Sequence, residues 1–432
     1  MTVEARPRAT VVLDVGKTHV KLRALDARGQ VLEGHDRDNR PVMAPQGYPA
    51  LDTAGIEDWL SSGLASLAQR VHVERLIAST HGAAFAALDA QGLVLPIVDY
   101  EFDAYEGQRA AYAEAVGALD ETLSPHLPMG LNAARAWYWQ SREFPQAFAR
   151  ATTLLPYPQY WAWRLCGVAA SEASSLGCHT HLWAPRRRAA SRLAVREGWA
   201  PRLAPLRAAW DELGPLRPEL ARRLGLPTDC IVHAGVHDSN ACLARHLRHA
   251  PAMTLVTSGT WTVVMACGGR VEALDLSADM LANVSVAQDL VPTARFMGGR
   301  DHEALCDGAS PDAAQSSLAA TLDVRVEPDA AGGRPHVWRG REDITAQLPR
   351  HLDSAQRATL AALHCARMTA QRVRALTGPS PVVIDGPLAR NRVYGEMLAG
   401  LLPDHVCRVA DGADGTLRGA WALAHWGETA GG

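Results

Sequence analysis

The sequence predicts an α/β protein made of two similar lobes that face each other across a cleft. Three observations carry this. Two short apolar strands, Thr10–Val15 and Val20–Leu25, open the chain around a polar turn that contains glycine. The same strand, turn and strand return at Met253–Thr257 and Thr262–Ala266, around Ser258-Gly259-Thr260. At 432 residues, the chain also exceeds what one hydrophobic core usually organises. The repeated plan suggests an ancient duplication, with one turn from each lobe pointing into the cleft. An Arg/His-rich segment ending in proline, 243–251, separates the two plans. The expected domains are therefore 1–245 and 246–432.

The elements follow in order. After Val20–Leu25, Asp26-Ala-Arg-Gly29 is a turn signal and Gln30–Gly34 begins a third strand, which makes an antiparallel meander. Ile56–Arg70 carries Ile56, Leu60, Leu64 and Leu67 at helical spacing, and Arg75–Ser79 reads as a buried strand. Ala83–Leu88 and Leu93–Val98 flank Asp89-Ala-Gln-Gly92, the pattern of a second hairpin. Residues 107–163 are helix-rich and aromatic. In the second half, Ser354–Thr377 is a long helix and Pro381–Ile384 a strand entering Asp385-Gly386. Helix Arg392–Leu402, strand Val406–Ala410 and a last helix from about Thr416 complete the chain. Gly419, Ala420, Ala422 and Ala424 would let that last backbone approach a sheet or helix closely.

Composition narrows the class. With 43 basic against 46 acidic residues the net charge is −3, which argues against nucleic acid as a partner. An apolar fraction of 47% and a charged fraction of 21% suit a globular chain. No segment approaches the roughly 18 apolar residues that a membrane span needs. Eight cysteines stand singly, without a Cys-x-x-Cys pair, and read as reduced thiols of a cytoplasmic protein. Only two of the 43 basic residues are lysines, Lys17 and Lys21, and both lie in one N-terminal stretch.

Four motifs carry chemistry. Asp14-Val15-Gly16-Lys17-Thr18 places a carboxylate, a glycine and a hydroxyl at the end of a strand, which suits a metal-bound phosphate; an ordinary hairpin turn is the alternative. Ser258-Gly259-Thr260 offers similar groups from the other lobe. In Gly235-Val236-His237-Asp238-Ser239, Asp238 can take a proton from a substrate hydroxyl, or merely cap the helix Ser239–Leu247. Ile384-Asp385-Gly386-Pro387, followed by Arg390-Asn391, is a strand-to-helix loop able to hold a nucleotide. A competing pattern of histidines, His179 and His181 with His233 and His237-Asp238, raises a metal-dependent hydrolase.

The order of these four motifs resembles the FGGY carbohydrate kinases of the actin/hexokinase-like superfamily. Trp139–Gly167, with Phe144-Pro145 and Tyr160–Gly167, and Asp411–Ala424 are similar to that family's helical segments, so the resemblance runs from Val11 to about Ala424. It implies two ribonuclease H-like domains and ATP-dependent phosphorylation of a sugar at a primary hydroxyl. It further implies Asp238 as general base and Asp14 as the Mg²⁺ carboxylate. Gly16, Lys17, Thr18, Gly259 and Thr260 would lie on the phosphates, and Gly386, Arg390 and Asn391 beside the adenosine. His81, Gly82, Asp99 and His237 are the sugar candidates. ATP, Mg²⁺ and a small sugar are the implied ligands, without nucleic acid or membrane, and the assembly stays open, a homodimer included. A non-catalytic sugar sensor on the same fold is the remaining alternative.

The sequence departs from the family in places. Where relatives carry a Trp-x-Asp-x-Arg-like clamp, it reads Val98-Asp99-Tyr100-Glu101-Phe102-Asp103, with no arginine before Arg109. The family's helical lysine is absent near Ala136, with Arg135 the nearest cation, and the nucleotide loop has Asp385-Gly386 for a double glycine. His237 before the base resembles the rhamnulose and fuculose kinases, which favours a 6-deoxy-ketose, with ribulose, xylulose or a polyol as alternatives. Trp261 is expected in the core behind its turn. Lys17 is expected to face the cleft and Lys21 less so, unless both are simply solvated strand residues.

Overall fold

Alternation in the first strand decides how its sheet is covered. In the computed structural model, which describes residues 6–248, 250–278, 280–328, 333–411 and 414–428, that strand is β1 (Arg8–Val15). Val11, Leu13 and Val15 join a core with Ile56, Leu60 and Leu64 of α1 (Thr53–Ala68), while Val12 belongs to the core on the opposite face. Asp52 caps α1, its side chain accepting the Gly55 N–H at 2.9 Å. β2 (His19–Leu25) and β3 (Val31–Asp38) complete an antiparallel meander. β4 (His72–Thr80) joins β1 in parallel, and β5 (Ile231–His233) joins β4 in parallel. The order β3-β2-β1-β4-β5 results.

The second sheet has the same order. β6 (Met253–Ser258) pairs antiparallel with β7 (Thr262–Cys267), and β7 antiparallel with β8 (Leu290–Phe296). β9 (Pro381–Asp385) adds in parallel to β6 and β10 (Val406–Val409) in parallel to β9, giving β8-β7-β6-β9-β10. This repetition of strand order and direction is the duplicated ribonuclease H-like plan that the sequence predicts. Four further helices matter below: α2 (Asp238–Leu247), α3 (Gly298–Cys306), α4 (Ser354–Leu376) and α5 (Arg392–Leu401). Ala362, Ala366, Ala370 and Val373 of α4 and Tyr394 and Leu398 of α5 bury Val256, Val264, Val382 and Ile384 of this sheet. Asp353 and Gln356 form a capping box at the start of α4.

The chain divides into two compact units. One comprises Met1–His249, Ala282–Leu290 and Gly415–Gly432; the other comprises Ala250–Leu281 and Val291–Asp414. The break at His249/Ala250 lies near the expected 245/246, but the last helix, α6 (Gly415–Ala424), packs in the first unit. Its small residues are the reason. A Cβ on Gly419 would collide with the Ala241 carbonyl oxygen of α2, so the two helices touch backbone to backbone. Leu417 and Leu423 then reach the core with Val12 and Ile77, each burial contributing about 2 kcal/mol. His249, Gly412 and Ala413, which fall in the expected boundary and the C-terminal motif, lie outside the described residues.

Two expectations need correction. Leu93–Val98 is not a strand beyond Leu93, since only Gly92 and Leu93 pair with Phe85–Asp89. Phe85–Asp89 instead takes Thr153–Pro156 as its long partner, which draws the 107–163 helical region against it. Trp261 is not in the core: it is 37% exposed, with the Arg295 guanidinium 4.7 Å from its ring centroid. None of the eight cysteines forms a disulfide. Among the described residues, no helix is long and apolar enough to cross a membrane.

Candidate active site

In the first unit the chemistry gathers where β1 and β4 end. β1 terminates in Asp14 and Val15, opposite Ser79 and Thr80 of β4. Past β4 the chain continues with His81, whose N–H donates to the Val15 carbonyl at 2.9 Å. His81 is buried, and its Nδ1–H donates to the Gly82 carbonyl at 2.8 Å. That bond assigns the tautomer and leaves Nε2 as a bare lone pair with no partner among the described residues. Burial pushes the His81 pKa below the ordinary imidazole value, against the bond to Gly82 and the charge of Asp238. The ring is a neutral acceptor held for an incoming donor.

Asp238 is the first residue of α2, and its cap position is His237. Asp238 is thus inside the helix and is not its N-cap. Its Oδ1 accepts from its neighbour, at 2.6 Å from the Ser239 N–H and 3.3 Å from the Ser239 hydroxyl. His237 Nε2 lies 3.1 Å from the same oxygen and 3.7 Å from Cys178 Sγ. Oδ1 is thus engaged within the chain, and the Asp238 side chain is 33% exposed. The His237 ring is buried, and burial holds its pKa below the ordinary value. Gly82 fits against that ring: a Cβ there would stand 2.7 Å from His237 Nε2. His81, Gly82, His237 and Asp238 therefore form one cluster.

Asp99 and Lys17 belong to the same neighbourhood. Lys17 Nζ donates to both Asp99 carboxylate oxygens at 2.5 Å, and stands 3.2 Å from Glu101 Oε2. It also lies 4.8 Å from the centroid of the Tyr100 ring, itself 5.7 Å from the His81 ring. Burial, then the charges of Glu101, Asp99 and Asp238, raise the Tyr100 pKa, so its phenol keeps its proton. Lys17 was expected among the phosphate-binding groups. Its ammonium turns instead to the candidate sugar residues, because a buried carboxylate is the strongest counter-charge within its reach. Tyr100 and Glu101 were not foreseen; their signal was adjacency to Asp99.

The two glycine turns resemble each other in a way that limits them. Gly16 N–H donates to the His19 carbonyl at 2.9 Å, and Gly259 N–H to the Trp261 carbonyl at 2.9 Å. Neither amide is open to cradle a phosphate as expected, because each closes its own hairpin. Side chains remain: Thr18 is exposed, with Oγ1 2.8 Å from His19 Nδ1, and Thr260 is exposed. Asp14 is buried at the base of the first turn, opposite Lys21 in register on β2.

In the second unit, Ser258 ties the turn to the nucleotide loop. Its hydroxyl donates to the Asp385 carbonyl and accepts the Leu388 N–H, both at 2.9 Å. Gly386 has φ +85° and a Cβ would strike the Ser258 carbonyl oxygen, so glycine is required on both counts. Asn391 caps α5, its Oδ1 accepting the Tyr394 N–H at 3.1 Å, while its Nδ2 is buried without a partner among the described residues. Arg390 is exposed beside it. The glycines that begin α3 escaped sequence reading. Cβ atoms on Gly298 and Gly299 would collide with the Thr262 side chain and the Gly259 carbonyl, so this helix N-terminus sits directly on the turn. A Gly-Gly pair between a strand and a helix was its signal.

The histidines of the hydrolase pattern have other work. His179 Nδ1 donates to the Leu131 carbonyl, His233 Nδ1 to the Trp210 carbonyl, and His181 bridges Tyr112 and Ser124. Among the described residues, no three His, Cys, Asp or Glu side chains are placed to hold a metal ion.

Comparison with known proteins agrees with this arrangement. The family described as "Carbohydrate kinase FGGY, C-terminal domain" matches residues 250–430. A carbohydrate kinase from Novosphingobium aromaticivorans is 32% identical, with a TM-score of 0.86 over 98% of this chain and 92% of that one. A xylulose kinase from Brucella ovis (17% identical, TM-score 0.78, 98% and 91% covered) shares the fold. So does the glycerol kinase of Plasmodium falciparum solved with ADP (9% identical, TM-score 0.78, 98% and 90% covered). No curated protein matches the sequence. Similarity to one carbohydrate kinase along nearly its whole length, a matched C-terminal family domain and a sheet order repeated in both halves lead to one assignment: the chain belongs to the FGGY carbohydrate kinase family.

Proposed function

We propose that this carbohydrate kinase transfers the γ-phosphoryl group of ATP to a primary hydroxyl of a neutral ketose, with Asp238 as the general base. The observation that carries the reading is the state of Asp238. Its Oδ1 is engaged by Ser239 and lies beside His237, whose pKa burial lowers, while the side chain is 33% exposed. In the proposed reaction the sugar hydroxyl gives its proton to Asp238 while its oxygen bonds to the γ-phosphorus. ADP leaves with the electrons of the broken P–O bond. Phosphoryl transfer of this kind depends on positioning and charge neutralisation more than on covalent help. His81 Nε2, an unpartnered acceptor, would take a hydrogen bond from another sugar hydroxyl.

We assign the nucleotide side to Thr18, Thr260, Gly386, Arg390 and Asn391, with Gly16 and Gly259 shaping the turns. Asp14 fits a Mg²⁺ site: it supplies one carboxylate at a strand end, and Mg²⁺ characteristically keeps water and phosphate oxygens as its other ligands. When bound, that ion would neutralise charge on the phosphates. The preference for a 6-deoxy-ketose such as rhamnulose or fuculose rests on His237 preceding the base.

The test is ADP release coupled to a visible assay, over rhamnulose, fuculose, ribulose, xylulose and polyols. Asp238→Asn keeps the shape and the Oδ1 acceptor but loses the base, for an expected kcat loss of about 10²- to 10⁴-fold. Near-normal turnover by that variant refutes the mechanism.

A further inference from the structure

Lys17 is one of two lysines in the chain, and its position after Gly16 in the first turn suggests a phosphate ligand. Its contacts point elsewhere. Asp99 is held rigidly, with its N–H donating to the Pro49 carbonyl at 3.0 Å and its Oδ1 accepting the Glu101 N–H at 2.9 Å. Its side chain is only 3% exposed, and the Lys17 ammonium lies 2.5 Å from both of its oxygens. Leaving that carboxylate to follow a phosphate would strand a buried charge without its partner, a severely unfavourable change. The ammonium therefore stays where it is.

The charges on this ledge do not cancel. One ammonium faces two carboxylates, Asp99 and Glu101, which leaves a surplus of one negative charge beside His81 and Tyr100. A pair of neighbouring hydroxyls matches such a surface, since one can donate to Asp99 while the other accepts from Lys17. A carboxylate on the substrate would meet two carboxylates that already outweigh the single ammonium charge. Desolvation then adds to the repulsion.

We propose that Lys17, paired with Asp99 and biased by Glu101, selects the sugar and not the nucleotide, admitting neutral polyhydroxy substrates and rejecting acidic ones. The proposal rests on the kinase reading above and deepens it. Its test compares wild type, Lys17→Met, Lys17→Arg and Glu101→Gln for kcat and KM toward the best neutral ketose, toward gluconate and toward ATP, with Tm measured in parallel. Lys17→Met is expected to raise the sugar KM at least tenfold while the ATP KM moves less than twofold. Lys17→Arg, which keeps the charge, should restore part of that loss. Glu101→Gln, at a side chain 57% exposed and so safe for folding, should raise the gluconate-to-ketose ratio of kcat/KM at least tenfold. A rise in ATP KM without one in sugar KM overturns the proposal. So does a fall in Tm with no kinetic change, or an unmoved gluconate-to-ketose ratio in Glu101→Gln. Wild-type preference for gluconate overturns it while the kinase reading stands; wild-type turnover of no sugar at all removes both.

Discussion

His181 is the sharpest place to test the electrostatics of the first unit. It is 1% exposed, its Nε2–H donates to the Ser124 carbonyl at 3.1 Å, and its Nδ1 accepts from the Tyr112 hydroxyl at 2.9 Å. Both nitrogens are satisfied only in the neutral ring. Burial, outweighing the Ser124 bond and aided by His126 and Arg135, pushes its pKa from 6.5 down to about 3. The unfolded chain therefore takes up a proton near pH 6.5 that the folded chain refuses until about pH 3. Stability from this residue is full above pH 6.5 and is lost as the pH falls through that window. Between about pH 7 and about pH 5 the loss works out at about 2 kcal/mol. Other buried histidines add to the slope, so the informative measurement is a difference. His181→Asn removes the titration, and asparagine tolerates the left-handed backbone here, φ +62°. Urea unfolding followed by tryptophan fluorescence at both pH values should show wild type losing about 2 kcal/mol more than the variant. Equal losses would refute the assignment of a neutral, proton-refusing ring.

Two glycines give further tests. Gly82→Ala places a methyl 2.7 Å from His237 Nε2 and displaces the ring beside Asp238, so kcat should fall by about tenfold or more with little change in Tm; an unchanged kcat sinks the role of that packing. Gly386→Ala combines φ +85° with a collision at the Ser258 carbonyl, which should destabilise the second unit by about 1–3 kcal/mol in a calorimetric scan and raise the ATP KM. A variant with wild-type Tm and ATP KM contradicts the reading of this loop.

Much of the fold was legible because it is encoded locally. Short apolar runs bounded by Asp-x-Gly and Ser-Gly-Thr turns mark β1, β2, β6 and β7, and the helical spacing of Ile56, Leu60, Leu64 and Leu67 marks α1. Pairings across long separations were not legible. Phe85–Asp89 carries the pattern of a hairpin arm, and period two states which face is buried without naming the partner. The long partner is Thr153–Pro156, far along the chain. Likewise α6 shows in its small residues that something comes close, but not that the something is Ala241.

The same distinction explains the candidate site. His81, Asp99, His237 and Asp238 were found as single residues, each at the end of an element, and the structure brings them into one neighbourhood. Lys17 was grouped with the phosphate ligands because its chain neighbours are phosphate-type residues, whereas the carboxylate it contacts is 82 residues away. A flexible ammonium seeks the strongest fixed counter-charge within reach, and burial makes Asp99 that charge. Position in a motif predicts where a lysine starts; the least solvated carboxylate nearby decides where it ends. By that argument, Lys17 lies in the phosphate-type motif by sequence and beside Asp99 by contact, which is the ground for the specificity role proposed above.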